Sequence, residues 1–180
     1  MGNIAFVRFR LNNKGAKPIS DMYFSSWHDP DLGDFVDDLV GCDTTLSAGF
    51  TYNEGDDNNY GANPPCFWVD FFQGPIVDGA PADTARRILG PNLGTQVFPG
   101  KKVLGMSSFS QYIQGDPTIG DPSTIQEARN YMLALTRGGL VFGPSANGVG
   151  GTTQDNPRFW YSGDPATSTG WRQTAGLTSA

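Results

Sequence analysis

Six aspartates, Asp29, Asp31, Asp34, Asp37, Asp38 and Asp43, fall within fifteen positions of the stretch "SSWHDPDLGDFVDDLVGCD" (25–43), with no lysine or arginine among them. Two carboxylates about 5 Å apart repel by roughly 3 kcal/mol at an effective dielectric of 20. Such a segment has to stay at the surface and spread into water, take up protons, or bind a cation. The chain supplies no counter-charge nearby. The 68 residues between Lys17 and Arg86 contain no lysine or arginine, while residues 29–58 carry nine of the eighteen carboxylates.

A hard divalent cation takes six to eight oxygens, and closely spaced aspartates provide them together with backbone carbonyls, so calcium is the expected counter-ion. Asp29, Asp31, Asp34 and Asp38 are the expected ligands, with Asp37 and Asp43 in reserve. The loop is not an EF-hand. Asp29 and Asp31 fit its positions 1 and 3, but Gly33 and Asp34 reverse the usual order, and Val40 stands where a bidentate Glu belongs. The competing reading leaves these aspartates capping turns and a short helix in solvent. A second acidic patch, "NEGDDNN" (53–59), either supplies ligands across space or forms a polar hairpin tip, and the tip is the expectation adopted.

The rest of the fold follows from punctuation. With 180 residues the chain fits one domain, and 24 Gly and 13 Pro set among 12 Phe and 4 Trp point to many turns between aromatic-rich strands. Residues 4–11, "IAFVRFRL", alternate Val7, Phe9 and Leu11 against Arg8 and Arg10, and with 19–27, "ISDMYFSSW", they are expected to pair as an antiparallel hairpin around "NNKG". Residues 66–72, "CFWVDFF", read as a central strand covered on both faces. "QVF", "VLGMSSFSQYI", "GLVFG" and "RFWYSG" are further short candidates. One helix is expected near 122–138, with Pro122 in its first turn, Ser123 and Gln126 as a capping box, Gly138 at its end, and Ile125, Ala128, Met132 and Leu135 on its packed stripe. Residues 34–41 add a short helical turn. Gly143–Asn156 reads as a mobile loop, and 171–180 as a tail with little to bury. The expected class is mainly β, an antiparallel β-sandwich with one packed α-helix.

Several functions are disfavoured by composition. The net charge of -6 and scattered basic residues argue against nucleic-acid binding. No apolar run approaches the roughly 18 residues of a membrane span, and "MGNIAFVRFR" lacks a signal-peptide core. His28 is the only histidine and no G-x-S-x-G elbow accompanies it, so it reads as a surface turn residue beside Trp27. "GTQVFPGKK" (94–102) departs from a phosphate loop at Thr95 and Lys102 and reads as a β-turn. Zinc is disfavoured by the absence of close cysteine spacing. Cys42 and Cys66 allow one bridge or two small buried thiols. Two of the many carboxylates would serve a glycosidase, and Tyr52, Tyr60, Trp160 and Trp171 would stack on sugars, although packing is the ordinary role of such rings.

The ordered run "LNNKG" (11–15), "WHDPDLGD…DDLVGCDT" (27–44), "YGANPP" (60–65), "DFFQGPIVDG" (70–79), "GMSSF" (105–109), "RNYMLALTRG" (129–138) and "SGDPATSTGW" (162–171) resembles a module of large secreted, surface-associated proteins of Bacteroidota-like bacteria, exported by the type IX route. The resemblance implies export and a β-rich extracellular module, with members continuing past this C-terminus, and it assigns no catalytic residue. Cys66 stands where that pattern has a small apolar residue. The combined expectation is a single domain, 1–180, forming part of a larger secreted or cell-surface protein. It acts as a non-catalytic structural or adhesion module, stabilised by calcium and partnered by other domains or copies of the same protein. The alternative is a carbohydrate-binding module or weak glycoside hydrolase.

Overall fold

Short β-prone runs cut by Gly and Pro produce short strands, and the computed structural model, which describes residues 3–90 and 92–174, arranges seven of them in three separate antiparallel sheets. A 3₁₀ turn at Phe35–Asp37 leads into β1 (Asp38–Asp43), which pairs with β2 (Ala48–Asn53), and β2 pairs with β3 (Phe67–Asp70). β4 (Ile76–Asp78) pairs with β7 (Lys101–Val103), closed by an ion pair between Asp78 and Lys101. β5 (Thr84–Gly90) and β6 (Gly94–Pro99) form a hairpin. The segment 94–102 is therefore mostly strand, with the expected turn confined to Gly100 between β6 and β7.

Among the described residues one α-helix forms, α1 (Ile125–Met132), beginning three residues past the expected 122, with its cap one residue later than the expected Ser123. Thr124 is the N-cap, and its hydroxyl accepts from the Glu127 amide, while the Glu127 carboxylate takes the amides of Thr124 and Ser123. A carboxylate outcompetes the expected Gln126 amide because charge-assisted bonds are the stronger ones. Ile125 is consequently 92% exposed, off the packed face, and Asn130 and Tyr131 are the buried helical residues. The helix also stops well short of Gly138, with Leu133 as its C-cap.

The core is built from aromatic rings on loops more than from strand faces. Tyr131, Phe142, Trp160, Tyr161 and Trp171 form one buried cluster with Ile119 and Ala134, and Val40 of β1 and Phe109 pack against it. Gly49 lets Phe109 close on β2, since a Cβ there would lie 2.6 Å from the ring. "FSQYI" and "RFWY" meet only through a parallel bridge between Phe109 and Phe159, and "GLVFG" through a bridge between Val141 and Leu135, so these expected strands are isolated contacts. Gly143–Asn156 is anchored, because Val149 and Arg172 exchange backbone bonds of 2.8 and 2.9 Å. The expected tail divides: Trp171 and Gln173 are buried, and residues 175–180 lie outside the described range.

Two strand expectations fail. Residues 4–11 and 19–27 form no strand, and every residue from 3 to 29 is exposed, although Asn13 does close the "NNKG" turn through the Gly15 amide and the Lys17 carbonyl. Alternation identifies a chain suited to pairing but does not name its partner. β3 is an outer strand, not a central one, with Trp68 44% exposed.

Candidate metal centre

Three of the six aspartates converge, and residues from the second acidic patch join them. Asp38 opens β1 directly opposite Asn53, the last residue of β2, so their side chains share one face. The β2–β3 connection then folds back over the 32–38 loop. Asp57, only 3% exposed, accepts from the Asp34 amide at 2.8 Å, from the Asn59 amide at 2.7 Å, from the Tyr60 amide at 2.5 Å and from Asn53 Nδ2 at 3.4 Å. Gly33, at φ +97°, permits this approach, since a Cβ would sit 2.5 Å from Asp57 Oδ1. The patch at 53–59 is thus bound across space to the first and is more than a hairpin tip.

Asp57 spends its carboxylate on these donors, which hold its pKa below the ordinary carboxylate value, the Asp34 amide contributing most. It braces the loop. Asp37 Oδ1 accepts from Asn53 Nδ2 at 2.9 Å, and Asp34 Oδ2 from Asn58 Nδ2 at 2.5 Å. Asp38 uses Oδ2 for the Leu32 amide at 2.8 Å. Two oxygens are left over: Asp38 Oδ1 and Asn53 Oδ1 are buried and have no hydrogen-bond partner. Burial, and then the charges of Asp37, Asp31 and Asp57, push the Asp38 pKa up against the pull of its Leu32 bond.

The other expected ligands separate. Asp43 lies at the far end of β1, about 17 Å along the strand, and caps the β1–β2 turn through the Thr45 and Leu46 amides. Asp29 acts electrostatically on Tyr112, away from the centre, whereas Asp31 acts on Asp38. Asn53 and Asp57 are the residues that sequence reading passed over. Among the described residues no three His, Cys, Asp or Glu side chains stand close enough together to hold a metal ion. The oxygens in play therefore include the Asn53 amide, a hard neutral donor suited to calcium.

A groove of about 530 Å³ lies at the opposite end of β1, lined by Phe50, Tyr52 and Trp68 and by Asp43, Ser162 and Asp164. Trp68 stacks on Phe50 across β2 and β3, with centroids 5.3 Å apart and planes 10° apart. Cys42 and Cys66 both reach it and are unbridged. Cys42 is buried, and desolvation pushes its thiol up to about 12, so it is inert. Trp160 and Trp171 belong to the core, not to any sugar-binding surface. A scan of protein-family models, a search of curated proteins and a search of solved structures each find no match to this chain.

Proposed function

We propose that the chain is a non-catalytic structural or adhesion module of a secreted or cell-surface protein, stabilised by calcium where β1 and β2 begin and end. The observation carrying this reading is the pair of buried acceptor oxygens without donors, Asp38 Oδ1 and Asn53 Oδ1, on opposed residues of β1 and β2. A buried acceptor without a partner is costly, and a bound cation removes that cost for both at once. Asp38 and Asn53 are the preferred ligands, with Asp37, which accepts from Asn53 Nδ2, as the second carboxylate beside them. Among the described residues no helix is long and apolar enough to cross a membrane. The β-sandwich expected from sequence belongs to this proposal, as the face-to-face packing of antiparallel sheets.

The test is thermal unfolding with millimolar calcium and then with a chelator. A site of sub-millimolar affinity stabilises the fold by roughly 1–2 kcal/mol at that concentration, a rise in Tm of about 2–8 °C for a chain of this size. Asp38→Asn is expected to abolish the calcium response. A Tm that neither addition moves rules the site out.

The groove favours a second reading, a glycan-binding surface. An aromatic sheet face flanked by hydroxyls and carboxylates, with no lysine or arginine in its lining, suits a neutral sugar over an anionic ligand. Trp68→Ala is then expected to weaken glycan-array binding about tenfold or more while leaving Tm nearly unchanged. Binding equal to that of the parent chain would remove this reading.

A further inference from the structure

The largest unexplained feature is the arm at 3–29. It displays ten large apolar side chains between Ile4 and Trp27 while remaining exposed throughout. Soluble chains seldom leave that much apolar surface open unless a partner covers it. Its charge is equally uneven. Residues 3–20 carry Arg8, Arg10, Lys14 and Lys17 with no carboxylate, whereas 18–85 carry thirteen carboxylates and no lysine or arginine. We propose that residues 4–11 of one copy add as a strand to the outer edge of β3 in a second copy.

The two patterns match residue by residue. β3 presents Trp68 and Asp70, both exposed, on one face and the partly buried Phe67 and Val69 on the other. An added strand with Arg8 and Arg10 on the first face and Val7, Phe9 and Leu11 on the second sets guanidinium against carboxylate and indole, and apolar against apolar. Among the described residues, no hydrogen bond reaches β3 from the side away from β2, so its backbone groups are available. In its own copy the arm passes β3 without pairing. Phe6 packs edge-on against Phe72 at 5.9 Å, and Arg8 then turns to β5, donating to the Ile88 carbonyl at 2.9 Å. That anchor leaves the 4–11 backbone open to a neighbour. β5 itself is a poor host for the arm, since Arg86 and Arg87 lie on it.

The inference rests on reading the chain as an assembling structural module, but its test is independent of calcium. The mass of the full chain in solution is measured by sedimentation across concentration and salt, with Tm recorded for each variant. The parent chain is expected to self-associate, less so at high salt. Arg10→Glu and Asp70→Arg, neither of which removes a hydrogen bond found in the fold, are each expected to weaken association about tenfold or more with Tm retained. Mixed one to one, the two variants are expected to associate again, because each arm then meets an edge of opposite charge. A synthetic peptide of residues 4–11 is expected to compete. A parent chain that stays monomeric overturns the proposal, as does a mixture that stays dissociated. If Arg10→Glu and Asp70→Arg compensate only within one chain, and that chain is monomeric, the arm pairs in cis and copy-to-copy addition is wrong. A calcium-insensitive chain that still passes the mixing test removes the metal centre and leaves this pairing standing.

Discussion

Trp160→Ala is expected to destabilise the fold by about 3–5 kcal/mol, a large part of the 5–15 kcal/mol typical of a whole domain. Trp160 is 0% exposed and holds together parts of the chain that no sheet connects. Its ring stacks on Phe142 with centroids 4.1 Å apart and meets Tyr131 of α1 edge-on at 6.5 Å. The indole N–H donates to the Ala134 carbonyl at 3.2 Å, and the Trp160 carbonyl accepts from the Cys42 thiol of β1. Truncation opens a cavity lined by rings fixed from several directions and strands the Ala134 carbonyl, so the site collapses poorly. Trp160→Phe fills most of the volume and is expected to cost roughly half as much, the remainder being the lost hydrogen bond. Ile125→Ala, on an exposed helical position, is expected to stay within about 0.5 kcal/mol of the parent. Urea unfolding of the three variants orders them, and a Trp160→Ala cost below that of Ile125→Ala would refute this account of the core.

The same core explains what was legible in the sequence and what was not. Local signals succeeded where neighbours in sequence decide the outcome. Examples are the aromatic β-prone run that became β3 and the turn between Pro99 and Lys101, whereas the helical turn expected over 34–41 formed only at Phe35–Asp37, the rest becoming β1, and the capping box moved from Ser123 and Gln126 to Thr124 and Glu127. They failed where the deciding partner is distant. Period-two alternation at 4–11 marks a strand, but strand formation needs an edge, and among the described residues none pairs with it. "RFWYSG" is apolar enough for a strand, yet Trp160 and Tyr161 are held by burial under Phe142 and Trp171 and not by a ladder. At the acidic site, charge density found Asp34, Asp37 and Asp38. Asn53 carries no charge to notice, and Asp57 is brought over only by the β1–β2 register and the positive φ of Gly33. The missing counter-charge between Lys17 and Arg86 is common to both patches, but it does not say that they meet, and the hairpin tip expected at 53–59 gave way to a loop bound to the first patch through Asp57 and Asn58.

Asp57→Asn is expected to be the most damaging of the aspartate substitutions, lowering Tm by roughly 5–10 °C. Asn keeps one acceptor oxygen, but its NH₂ must face donors: Oδ1 of Asp57 receives the Asn59 and Tyr60 amides, and Oδ2 the Asp34 amide and Asn53 Nδ2. Whichever way the amide turns, two donors lose their acceptor, and the back-fold that covers Asp38 loosens. The pH dependence distinguishes this from a packing effect. The folded-state pKa of Asp57 lies below its ordinary 3.8, so its contribution is complete above that value and is lost as pH falls through the folded one. Asp38 has the opposite sign. Its folded pKa is raised, so its charge costs stability at every pH above that raised value, and protonation in acid relieves the cost. In the absence of calcium, Asp57→Asn is therefore expected to flatten the acid limb of the stability curve, whereas Asp38→Asn changes neutral-pH stability little or improves it. Adding calcium reverses the Asp38 comparison, because an ion bound to the carboxylate makes its charge favourable. Melts of the parent and the two variants from pH 3 to 7, with calcium and with chelator, give six curves. Equal acid limbs for the parent and Asp57→Asn would show that the Asp57 carboxylate is not what holds the two acidic loops together.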